Sequence, residues 1–143
     1  MSIMDNKLNS AWWALRIGFG VGPFLAGLDK FSNLLTNWQM YLNPSIERLL
    51  PVSGAVFMQI VGVIEMIVGL MILTRWTRLG SYVAMVWLTL IALTLVSGGM
   101  FLDVAVRDLV MAIGAYTLAR LTEVKESVTE PQPRHAPQGV LAR

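Results

Sequence analysis

The sequence predicts an all-α integral membrane protein, a four-transmembrane-helix bundle with both termini cytoplasmic. Three observations predict it. Of 143 residues, 55% are hydrophobic and only 14% charged, a balance that water-soluble domains rarely have. The apolar residues fall into four blocks, 11–32, 53–74, 79–98 and 102–121, each near the roughly 20 residues that a helix needs to cross about 30 Å of hydrocarbon. Positive charge at the block ends and beyond them is uneven: Lys7, Arg75, Arg78, Arg120, Lys125, Arg134 and Arg143 fall on one side of four alternating spans, and only Lys30 and Arg48 on the other. The positive-inside rule makes the first side cytoplasmic.

The first block exceeds a signal peptide's apolar region, carries Arg16, and lacks a clear small-residue cleavage site, so it reads as a retained span. Gly18, Gly22 and Ala26 recur every four residues along it, a smooth stripe on which another helix can approach closely. Pro23 is expected to kink the helix and reorient its outer half, where Asp29 and Lys30 lie. Arg16 sits nearer the cytoplasmic end, within snorkelling distance of the interface.

An outer loop, 33–52, follows. It is too long for a simple hairpin and carries Trp38, Tyr41, Pro44 and Pro51, aromatic and turn-forming residues that suit the headgroup level. The second block holds Glu65 near its middle, on one helical face with Gly62 and Gly69. An ionised, unpaired carboxylate at that depth costs several kcal/mol, so Glu65 must face protein and be protonated or matched to a cation. Gly62 and Gly69 read as helix-packing positions.

The third block contains no Asp, Glu, Lys or Arg. The fourth is weaker, because Asp103, Arg107 and Asp108 crowd its start, and a three-span alternative remains open. Asp103 and Arg107 share a stripe, whereas Asp108 lies about 100° around, with Ala112, Ala115 and Ala119. Those small residues predict close helix contact and a buried Asp108 needing a donor, for which Arg107 and Lys30 are available. The transmembrane domain thus covers 1–121, and 122–143, rich in Pro, Glu, Gln and Ser, reads as a disordered cytoplasmic tail.

Several functions are excluded. There is no cysteine, and the single histidine, His135, lies in the tail, so this chain holds no iron–sulfur cluster, histidine-ligated haem or histidine-rich metal site. Its few scattered basic residues give no basis for nucleic-acid binding. What remains is a near-balanced charge set toward the outer face: Asp29, Glu65, Asp103 and Asp108 against Lys30 and Arg107. Two readings fit it. Either the charges form a salt-bridge network that fixes helix register, or they line a polar site for a small polar or quinone-like ligand, with Glu65 as proton carrier.

The order of short motifs carries a resemblance. Leu15-Arg16-Ile17-Gly18 is followed by A-G-L-D-K at 26–30, by Glu65 in a glycine-flanked span ending in Thr74-Arg75, and by F-L-D-V-A-V-R-D-L at 101–109. In this the chain resembles the DoxX-like family of four-helix membrane proteins, over about 11–121. The resemblance implies a four-helix bundle in a bacterial cytoplasmic membrane. It also implies kinship with the small membrane subunit of thiosulfate:quinone oxidoreductase, hence an accessory role beside a membrane-protein partner that carries the redox centre. A quinone is then the implied ligand, and the matching positions are Arg16, Asp29, Lys30, Glu65, Asp103, Arg107 and Asp108. The alternatives are a small proton-coupled carrier or channel working as a homo-oligomer, and a purely structural assembly subunit.

Overall fold

The computed structural model describes residues 3–129. Among them are five α-helices and one 3-10 turn, with no strand: α1 (Ile3–Asp29), the turn Trp38–Tyr41, α2 (Pro44–Glu47), α3 (Gly54–Leu73), α4 (Thr77–Gly98) and α5 (Leu102–Thr129). Three of them, α1, α3 and α4, are long and apolar enough to cross a membrane. α5 is not among these, for a physical reason. Its charges crowd both ends and leave only 109–119 uncharged, about 16 Å of helix against about 30 Å of hydrocarbon.

The helices pack as two antiparallel pairs, α1 with α3 and α4 with α5, joined chiefly through α3 and α4. The first pair approaches backbone to backbone. A Cβ on Gly27 would strike the carbonyl of Gly62, a Cβ on Gly62 would strike that of Gly27, and one on Gly69 would lie 2.5 Å from the carbonyl of Gly20. Gly20 and Gly27 are seven residues apart, as are Gly62 and Gly69, so two turns of each helix bring the contacts back to the same face. Gly62 and Gly69 therefore pack as the sequence suggested. Gly18 and Gly22 do not: a Cβ on either meets open space, and Ala26 is only half-buried. Periodicity identified a small-residue stripe on α1, but rotation about the helix axis chose a different one.

The second pair packs through Ala84, Ala92 and Leu95 of α4 against Ala105, Ala112, Ala115, Leu118 and Ala119 of α5. One core cluster unites Trp12, Phe19, Val68, Ile72, Ala84, Ala115 and Leu118, drawing on all four long helices. Large apolar side chains point away from the bundle on every long helix, among them Ile17, Ile67, Leu93 and Ile113, which suits a lipid surround.

The chain departs from the expected boundaries at both ends. α1 begins at Ile3 rather than near 11 and runs unbroken through Pro23. α5 continues past 121 to Thr129, so 122–129 is helical where a disordered tail was expected. Tertiary contacts hold this extension: Thr122 is buried and accepts the Trp12 indole N–H at 2.8 Å, and Tyr82 donates to Glu123 at 2.8 Å. The rest of the expected tail, 130–143, lies outside the described residues.

The turns are locally encoded. Ser53 caps α3 by accepting the Val56 amide, and Gly99, at φ 65°, closes α4 in the left-handed conformation that suits glycine. Asn43 caps α2 through Ser45 and also donates to the Thr94 carbonyl and to Ser97, fastening α2 to the end of α4.

Candidate functional site

The charges predicted to share one site divide between two ends of the bundle. Arg16 belongs to the end where α3 gives way to α4, and there it donates to the carbonyls of Ile72 at 3.0 Å, Leu73 at 2.8 Å and Thr74 at 2.6 Å. These acceptors close the C-terminus of α3; the Thr77 hydroxyl also donates to those of Ile72 and Thr74, and the guanidinium fork spans all three while its charge opposes the helix dipole. Its cation also lies over Trp12 at 4.8 Å and Trp13 at 5.0 Å. Arg16 is thus a structural clasp of α1 on α3, far along the helices from the remaining charges.

The other end holds a compact cluster. Lys30 Nζ meets Glu65 Oε2 at 2.5 Å, with the two side chains only 4% and 12% exposed. The meeting follows from helix geometry. Side chains lean toward the N-terminus of their own helix, and α1 and α3 are antiparallel, so Lys30 reaches inward from the end of α1 while Glu65 reaches outward from mid-α3. Gly62 permits it: the Lys30 stem passes where a Cβ on Gly62 would lie 3.1 Å away.

Asp108 of α5 is buried and lies within the field of both Lys30 and Glu65. Its ion-pair partner is its chain neighbour Arg107, at 3.6 Å, which is 68% exposed and approaches from the rim. From α4 comes Trp87, whose buried Nε1 faces the Glu65 carboxylate just outside good hydrogen-bond geometry. Asp103 is exposed in the first turn of α5 and stands apart.

Asp29, the immediate neighbour of Lys30, joins none of these charges. It turns the other way and organises the outer loop, accepting from the Leu34 amide at 2.9 Å, the Leu35 amide at 3.1 Å, Ser32 Oγ at 3.0 Å and the Trp38 indole N–H at 2.8 Å. The turn is tight: Asn33 takes φ 51° and donates its amide to the Asp29 carbonyl. The Trp38 ring then lies over Lys30, 3.7 Å from Nζ to the ring centroid.

Of the seven charged residues singled out by sequence, the fold therefore gathers Lys30, Glu65 and Asp108, keeps Arg107 at the rim and Asp29 behind the loop, and separates Arg16 and Asp103. It adds Trp38 and Trp87. A tryptophan in mid-span, away from the interfacial belts where such rings collect, was the available signal for Trp87. Among the described residues no group of acidic or histidine side chains is arranged to hold a metal ion.

Compared with known protein families, characterised proteins and solved structures, the chain finds no match.

Proposed function

We propose that this chain is a DoxX-like, four-span accessory subunit or anchor of a quinone-linked redox complex in a bacterial cytoplasmic membrane, with both termini cytoplasmic and Glu65 handling the proton. The carrying observation is the Lys30–Glu65 pair, closed off from lipid, with Asp108 close by as a second buried carboxylate. Two carboxylates against one buried ammonium leave such a centre short of neutrality in a low-dielectric surround, because Arg107 compensates Asp108 only from the rim. A centre so composed takes up and gives back a proton more readily than a matched, fully hydrogen-bonded pair.

A fourth span is supported by the outward faces of Val106, Leu109, Val110, Ile113 and Tyr116, an apolar stripe on α5 that lipid would cover. In a bundle, the charges of α5 lie inward or at the rims, where a helix tolerates them.

The residues fit a quinone head group in one respect, a buried donor: Trp87 Nε1 faces Glu65 without a well-formed hydrogen bond to give up. Trp87 and Lys30 would hold a carbonyl oxygen, and Glu65 would hold the proton. The quinone itself, when bound, accepts electrons from a partner subunit, since this chain has neither cysteine nor a membrane-depth histidine to ligate a redox metal.

The test is quinone reduction by native membranes carrying Glu65→Gln, alongside native gels that report assembly. The expected result is at least a tenfold loss of rate with the complex intact. Unchanged rates would overturn the proposal, and proton flux through liposomes holding only this chain would replace it with a carrier.

A further inference from the structure

Resting on that reading of the site, we infer that Asp29 is a positioning residue that latches the outer loop as a lid over the Lys30–Glu65 pair, so that access depends on the hydrogen bond from Trp38 to Asp29. Three observations converge on it. Asp29 is buried, and its two oxygens accept four hydrogen bonds, all from the segment that follows α1. None of the four secures a neighbouring long helix. The carboxylate gathers Ser32, Leu34, Leu35 and Trp38 around the end of α1 and so sets the path of the loop.

The loop so gathered carries a single cover for the charged pair. Trp38 uses its N–H on Asp29 and its ring face on Lys30, so one side chain joins the latch to the site. Lys30 is thereby enclosed by Glu65 on its helix side and Trp38 on its loop side.

The covering segment is otherwise lightly held. The 3-10 turn Trp38–Tyr41 contains no buried residue, and Leu34 and Leu35, whose amides Asp29 holds, are 85% and 74% exposed. Little apolar burial opposes a lift of 34–40, whereas the next stretch is pinned by Tyr41, its ring 4.7 Å from that of Phe101, by the buried Leu42, and by Asn43 bonded to α4. The hinge is therefore between the Asp29 anchor and Tyr41. Opening there uncovers Lys30 and Glu65 without moving a membrane-crossing helix.

The chain supplies its own reporter. It has three lysines: Lys30 is enclosed, and Lys7 and Lys125 are exposed, Lys125 with its ammonium on Asn9 and over the Trp12 ring, so that its rate also reports loosening of the bundle. The experiment measures, by peptide mass spectrometry, how fast a water-soluble amine-acylating reagent modifies Lys30 relative to Lys125 in the detergent-solubilised full chain. Wild-type protein should label slowly at Lys30.

Trp38→Phe, which keeps a ring but removes the N–H, and Asp29→Asn should each raise the Lys30 rate about tenfold with Lys125 unchanged, the factor expected when one hydrogen bond to a charged group is lost from a local opening. The double variant should label no faster than the faster single one, because both changes break the same bond. An unchanged Lys30 rate in Trp38→Phe overturns the latch, and so does a parallel rise at Lys125, which marks general loosening. Should Asp29→Asn fail to accumulate, Trp38→Phe decides alone. Failure here leaves the Glu65→Gln test of quinone reduction standing, and failure there leaves the lid standing.

Discussion

Lys30 and Glu65, 35 residues apart in sequence, meet at 2.5 Å because antiparallel helices aim their side chains toward each other's level. The pair is buried on both sides, so its halves are not independent. Removing one partner leaves an uncompensated charge in the bundle, whereas removing both leaves an apolar contact. Lys30→Met and Glu65→Leu are each expected to cost about 3–5 kcal/mol, and the double variant to recover most of it. Thermal unfolding of the four proteins in one detergent checks this, and single variants as stable as wild type would mean that the charges are not mutually committed.

The glycine contacts give a sharper contrast. Gly27→Ala and Gly62→Ala each drive a methyl into the facing carbonyl, where the α1 and α3 backbones cannot yield without separating. Each should lose about 1–3 kcal/mol. Gly18→Ala and Gly22→Ala meet open space and should show no loss in the isolated chain. Equal effects at all four positions would contradict the assigned face of α1.

Arg16 should behave as a cap. Arg16→Gln takes the side-chain donor from the Leu73 carbonyl and leaves those of Ile72 and Thr74 with Thr77 alone, and is expected to cost roughly 1.5–3 kcal/mol. Hydrogen exchange at the turn between α3 and α4 should quicken at least tenfold. Arg16→Lys should rescue little, because an ammonium lacks the planar fork that spans several acceptors.

Trp87 tests the buried donor. Trp87→Phe removes a buried N–H that faces Glu65 without a well-formed hydrogen bond, so stability should change by less than about 1 kcal/mol. A fall of several kcal/mol would show that the N–H already carries a strong bond to Glu65.

The absence of native cysteine makes the α5 topology directly measurable. With a membrane-impermeant maleimide, Ile113→Cys should stay unmodified in intact membranes, whereas Val128→Cys should react from the same side as a cysteine placed near Lys7. Rapid labelling of Ile113→Cys would remove α5 from the spans.

The sequence makes the helices legible because hydrocarbon imposes a length and a polarity that composition records directly. Three apolar blocks became membrane-length helices, and Gly62, Gly69 and the Asp108 alanine face packed where residue spacing placed them. Pairings between helices were not legible. Arg16 and Glu65 both look like intramembrane charges, and only the fold shows that one ties down carbonyls while the other binds Lys30. Asp29 and Lys30 are adjacent in sequence yet serve opposite directions, which depends on the turn beginning at Asp29. The helical 122–129 escaped because its composition is polar and its hold on α1 and α4 comes from tertiary contacts at Thr122, Glu123 and Lys125.

The close approach of α1 to α3 has an electrical side. Where Gly20 faces Gly69 and Gly27 faces Gly62, peptide backbones touch and no thread of water fits between them. Along α1 and α3, then, the Gly20–Gly69 contact stands between Glu65 and the Arg16 end as a stretch of bare peptide against peptide, with no side chain in it to pass a proton.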